Sequence, residues 1–204
     1  MLLKIYPDNI NEKFIAKAVE TLKGGGIIVI PTDTVYALAC DIYNNKAVEK
    51  ICRFRQIKLE KANFSFLCSD LSHISDFTKP FSNEIFRLMK NTLPGPFTYI
   101  LNANNQVPAI FKSNKKTIGI RVPDNNITRR LIHELGNPLM VTSVHNDDEI
   151  IDYLSDPEEI EATLGDRVDL VIDGGTGSLD PSTVVDCTGQ TPVLIREGKG
   201  VLPF

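Results

Sequence analysis

Gly24-Gly25-Gly26-Ile27-Ile28-Val29-Ile30-Pro31-Thr32-Asp33-Thr34-Val35-Tyr36 joins a short, uninterrupted apolar run to a cluster of hydroxyl-bearing side chains. The run from Ile27 to Ile30, bounded by glycine and proline, has the pattern of a strand covered on both faces. Pro31 has no backbone donor and ends the ladder, so the chain is expected to leave the sheet edge carrying Thr32, Asp33, Thr34 and Tyr36. Hydrogen-bonding groups this close together can orient a small polar ligand. They can equally close an Asx or Ser/Thr turn that satisfies only its own backbone, and the local sequence leaves both readings open.

On either side of this stretch the chain alternates between helical and strand-like periods. Phe14, Ile15, Ala18, Val19 and Leu22 recur at helical spacing between Asn11 and Lys23, with Gly24 as a stop. Asn44 or Asn45 is expected to cap a helix through Phe54, Ser82 a helix around Ile85 to Met89, and Asn125 or Asn126 a helix ended by Gly136. Ser155-Asp156-Pro157-Glu158-Glu159 is a strong start for a further helix ending at Gly165. Phe64 to Cys68, Phe97 to Leu101, Thr117 to Val122, Pro138 to Ser143, Val168 to Ile172, Ser182 to Cys187 and Pro192 to Arg196 read as strands. Helices and strands interleave without strict alternation and without repeats. The expected fold is therefore α/β (α+β), a single domain over residues 1–204 built on a mixed, twisted sheet.

The 204 residues, 42% of them hydrophobic, suffice for a substantial core. No apolar run approaches the roughly 20 residues of a membrane-spanning helix, and Met1 to Pro7 is too short and mixed for a signal peptide. A cytoplasmic protein without a membrane partner is expected. Cys40, Cys52, Cys68 and Cys187 show no C-x-x-C spacing and read as buried free thiols. His73, His133 and His145 are scattered, so no metal site is expected.

Net charge is -4, unevenly distributed. Lys46 to Lys61 carries +4 and Lys112 to Arg130 carries +5, whereas Val141 to Asp173 carries -10. The basic segments would attract an anion locally, or they are solvated helix faces.

Polar constellations recur at strand ends and turns: Thr32 to Tyr36, Arg53 with Arg55, Arg121, Thr142 and Ser143 with His145, and Ser182-Thr183 with Arg196. Guanidinium forks suit phosphate or carboxylate, and neighbouring hydroxyls complete the coordination of an anion. Gly174-Gly175-Thr176-Gly177 lacks the Lys-Ser/Thr of a P-loop and reads as a flexible turn.

Pro31 to Leu38, Pro94-Gly95-Pro96-Phe97-Thr98, Gly119 to Asp124, Pro181 to Asp186 and Ile195-Arg196-Glu197-Gly198 resemble, in order, the signatures of the YrdC/YciO family. Ile51 to Gln56, Phe86 to Asn91 and Ser155 to Ile160 look most like its YciO branch. The resemblance implies a large twisted sheet flanked by helices with a concave basic face that binds nucleotide and double-stranded RNA or tRNA. In its catalytic branch, L-threonine, bicarbonate and ATP with Mg2+ become threonylcarbamoyl-AMP and pyrophosphate, toward threonylcarbamoyladenosine in tRNA.

Carried over by position, the resemblance implies that Thr32, Thr34 and Tyr36 hold the amino acid. Arg121, Thr142 and Ser182 join them at the substrate. Arg53, Arg55 and Ser143 become the catalytic set, contacting the nucleotide with His145 and Arg196. Arg53 stands where the family has Lys, and His145 where it has Asn. Positioning and charge stabilisation carry adenylyl transfer, so no helper base is required. The alternatives are a non-catalytic paralogue gripping RNA through Arg53, Arg55, Lys58, Lys61, Lys115 and Lys116, or the same pocket used for another nucleotide or carbamoylated metabolite.

Overall fold

The apolar run of the opening stretch forms strand β2 (Ile28–Ile30), every residue of which is fully buried. The computed structural model describes residues 1–59, 62, 64–111, 116–144 and 153–203. His145, Lys61 and Lys115, singled out above, lie outside the described residues.

Around β2 the chain lays down β1 (Leu2–Lys4), β3 (Ala37–Asp41), β4 (Ser65–Leu67), β5 (Phe97–Asn102), β6 (Thr117–Arg121), β7 (Leu139–Ser143), β8 (Leu170–Asp173), β9 (Thr183–Asp186) and β10 (Val193–Arg196). They form one sheet in the order β1-β8-β2-β3-β7-β4-β6-β5-β9-β10. Four neighbouring pairs are parallel (β1/β8, β2/β8, β4/β6 and β5/β9) and the rest antiparallel. β3 runs back antiparallel to β2, so Pro31 to Tyr36 is the connection between two paired central strands.

The helices are α1 (Glu12–Lys23), α2 (Asn45–Phe54), α3 (Leu71–Ser75), α4 (Asn83–Thr92), α5 (Asn126–Leu135) and α6 (Pro157–Leu164). Asn44, Ser82, Asn125 and Asp156 cap their helices as expected and Asn11 caps α1 as well, each accepting a backbone N–H of the first turn. Each such cap is worth roughly 1 kcal/mol to its helix. α5 ends at Gly136, whose φ of 84° is the left-handed conformation that glycine adopts without a steric penalty. Among the described residues, no helix is long and apolar enough to cross a membrane.

The alternation of side chains along the strands splits the core in two. Ile28, Ile30, Ala37, Ala39, Leu139, Val141, Leu170 and Ile172 pack beneath α1 and α5. Val29, Leu38, Cys40, Phe66, Tyr99, Ile120, Met140, Val171 and Val185 face the other way, against α2, α4 and α6. The α1/α5 layer extends as far as Leu139, Val141 and Leu67. Farther along that face, Ser65, Gly119, Thr98, Ile100 and Val184 line an open cavity instead.

Candidate functional site

The cavity has a volume of about 600 Å3 and lies over the half of the sheet that α1 and α5 leave bare. On β6, Ile120 enters the core while Gly119 and Arg121 line the cavity, and Thr117 and Ile118 border it at the start of the strand. Thr98 and Ile100 of β5 and Val184 of β9 continue the floor. β7 pairs with β3 so that Ser143 lies opposite Ala37 and Thr142 opposite Leu38. This register brings Thr142 and Ser143 to the β2–β3 connection, where Val144 N donates to Tyr36 O at 2.9 Å.

Thr32 and Thr34 divide the two roles that the sequence left open. The Thr32 hydroxyl accepts from Thr34 N (3.0 Å) and donates to Val35 O (2.8 Å), closing a Ser/Thr turn. That turn places the Thr34 hydroxyl against β6, where it accepts from Arg121 Nη1 at 2.7 Å. Arg121 Nη2 donates to Asp33 Oδ1, forming an ion pair whose side chains are 8% and 12% exposed. Burial pulls the guanidinium below its ordinary pKa, and the Asp33 charge opposes that shift. Arg121 Nε and Asp33 Oδ2 are buried without hydrogen-bond partners among the described residues. Leaving such atoms unpaired costs on the order of 1–3 kcal/mol each, so the corner is chemically unsaturated and suited to a polar ligand.

Ser182 completes the opposite wall. Its hydroxyl lies 2.8 Å from that of Thr98, and its carbonyl accepts from Arg196 Nη2 at 2.7 Å. Beyond these groups the lining turns apolar through Leu59, Phe64, Phe66, Val107 and Phe111. The cavity is thus polar at one end and aromatic-aliphatic at the other, as a ligand with one flat apolar part and one charged part requires.

Of the residues the sequence singled out, Thr32, Thr34, Arg121, Thr142, Ser143, Ser182 and Arg196 line this one cavity. Tyr36, expected at the amino acid, is turned into the opposite core. Its hydroxyl donates to Gly175 O (2.7 Å) and accepts from Gly174 N (3.1 Å). Desolvation pushes the Tyr36 phenol up to about 12. The glycine turn read as flexible is therefore tethered: it holds Tyr36, and Gly175 takes a φ of 93°.

Arg53 and Arg55 do not line the cavity. α2 ends at Phe54, leaving Arg53 exposed with its Nε 3.5 Å from Glu49 O, and Arg55 half-buried at the C-cap.

The sequence reading missed the roles of Asp33, Thr98 and Lys199. Lys199 Nζ donates to Asp33 O at 2.6 Å. Asp33 stood in the hydroxyl cluster, and that was its one local signal. Nothing local marks its pairing with residues 88 and 166 positions away.

The family profile Sua5_yciO_yrdC, described as Telomere recombination, matches residues 20–198. The chain is 45% identical over 202 residues to the uncharacterised protein YciO of Escherichia coli (strain K12), covering 98% of this chain and 97% of that one. The crystal structure of E. coli YciO superposes with a TM-score of 0.91 at 43% identity, over 100% of this chain and 98% of the other. A threonylcarbamoyl-AMP synthase of Coxiella burnetii (strain RSA 493 / Nine Mile phase I) is 27% identical over 172 residues, 84% of this chain and 88% of its own. The crystal structure of P. abyssi Sua5 complexed with L-threonine superposes with a TM-score of 0.88 over 97% of this chain and 57% of that one; at 24% identity the likeness is one of fold.

Proposed function

The chain belongs to the Sua5/YciO/YrdC family, and on that footing we propose that its cavity joins L-threonine, bicarbonate and ATP into threonylcarbamoyl-AMP and pyrophosphate. A relative that is a threonylcarbamoyl-AMP synthase supports this reading. The observation that carries it is the meeting of Arg121 with Thr34 in a cavity shared by Ser143, Ser182 and Arg196.

In this reading the unpaired Arg121 Nε and the neighbouring hydroxyls take the carboxylate and hydroxyl of threonine. The threonine amine and bicarbonate lose water to give a carbamate, whose oxygen displaces pyrophosphate from the α-phosphorus of ATP. Arg196 and Ser143 face the charge that gathers on the phosphates. Mg2+ would arrive on the phosphates of ATP; among the described residues no group of three or more His, Cys, Asp or Glu is placed to hold a metal ion. The buried free thiols of Cys40, Cys52, Cys68 and Cys187 suit a reducing, cytoplasmic setting.

The test mixes the pure protein with labelled threonine, bicarbonate, ATP and Mg2+ and measures pyrophosphate and the mixed anhydride. Both products are expected, and their absence overturns the catalytic reading.

The exposure of Arg53 and Lys58, neither of which lines the cavity, favours a second reading, in which this surface grips the phosphates of tRNA or double-stranded RNA without catalysis. RNA affinity falling steeply with salt in a protein that yields no anhydride would establish it.

A further inference from the structure

We propose that Lys199 is an anion-binding residue at the rim of the cavity, holding the phosphate chain of a nucleotide together with Arg196; this rests on the nucleotide reading above. An ATP that enters the cavity brings several negative charges, and the α2 arginines do not line it. Arg121 is already offset by Asp33. Among the described residues, cations for the phosphates stand on the other side of the cavity, on β10 and the tail behind it.

The tail is built to present Lys199. Its backbone N–H donates to Pro181 O at 2.8 Å, and Thr183 donates to Gly200 O at 2.6 Å, so residues 199 and 200 lie along the start of β9. Only glycine fits on either side of Lys199: a Cβ at Gly198 would strike Pro181 O, and one at Gly200 would come within 2.6 Å of the Phe97 ring. From this fixed backbone the Lys199 side chain reaches Asp33 O, between the lining residues Thr32 and Thr34. An ammonium has three donors, and the carbonyl takes one. Arg196 hangs from the neighbouring carbonyl of Ser182 and lines the same cavity. Pro181 and Ser182 therefore anchor two cations beside one opening, and phosphate oxygens are the acceptors that such a pair fits.

Calorimetric titration of the full chain with Mg-ATP, inorganic tripolyphosphate and adenosine tests this. Lys199→Met should weaken Mg-ATP and tripolyphosphate roughly tenfold, as loss of one charge-assisted contact does. It should leave adenosine unchanged, and Lys199→Arg should recover most of the loss. An unaltered Mg-ATP affinity in Lys199→Met, or an equal loss for adenosine, overturns the proposal; the latter would mean that Lys199 only fastens the tail. A loss in Arg53→Met with none in Lys199→Met would place the phosphates at α2. If the wild-type chain binds adenosine and tripolyphosphate at separate sites, or neither, the nucleotide reading itself falls.

Discussion

Arg121 on β6 donates to the hydroxyl of Thr34, 87 residues earlier in the chain, at 2.7 Å. This contact, with the Asp33 ion pair beside it, joins the β2–β3 connection to the floor of the cavity and fixes where a ligand meets the protein.

Breaking that ion pair should cost more than either partner contributes alone. Asp33→Asn leaves a buried guanidinium uncompensated and should destabilise the fold by about 3–5 kcal/mol. Arg121→Met in the same chain should return much of that loss, because the double variant buries no unpaired charge. Urea denaturation of the two single variants and the double variant measures the coupling, and strictly additive losses would contradict the pairing.

Alkaline stability should depend on Tyr36 and Tyr99. Burial raises both phenols from 10.0 to about 12, that is, it favours their protonated, neutral form in the folded state. Their contribution is present in full below pH 10 and is lost as the pH rises from there through about 12. Ultraviolet titration should show tyrosinate absorbance still growing near pH 12, and Tyr36→Phe should remove part of that late amplitude.

Filling the floor should block the site without unfolding the protein. A Cβ at Gly119 would stand 2.9 Å from Ser65 Oγ, the end of a flexible side chain, and 3.4 Å from Thr98 Cγ2. Gly119→Val therefore pushes its methyl groups into the cavity. Threonine and nucleotide binding should fall at least tenfold while the far-ultraviolet circular dichroism stays unchanged. Normal binding in that variant would move the ligand off this floor.

Arg196→Ala removes one charge-assisted donor from the nucleotide. The expected loss in ATP affinity is roughly 1.5 kcal/mol, the low end for a charged hydrogen bond because Arg196 is exposed. Unchanged ATP affinity would take Arg196 out of the site.

Much of this fold was legible in the sequence because its signals are local. Asn11, Asn44, Ser82, Asn125 and Asp156 cap helices with their own side chains, and the Ile27 to Ile30 run announces a doubly buried strand. β3 escaped notice because Ala37-Leu38-Ala39-Cys40 has no β-branched residue and reads equally well as helix. β1, with three residues at a sheet edge, carries too short a pattern to read. The order of the strands, and with it the bare half of one face, depends on pairings between distant segments that no window reveals. For the same reason the hydroxyl cluster was visible but its division of labour was not. Thr34 faces the cavity and Tyr36 the opposite core because both lie in the bent connection between β2 and β3, where strand alternation does not hold and the turn closed by Thr32 sets their directions.

The most direct measurement is a crystal structure of the protein grown with saturating L-threonine, ATP and Mg2+. Ligand density between Thr34, Arg121, Ser143 and Arg196, over Gly119, is the predicted result. Density for the same ligands on another surface, with only solvent over β6, would contradict the account.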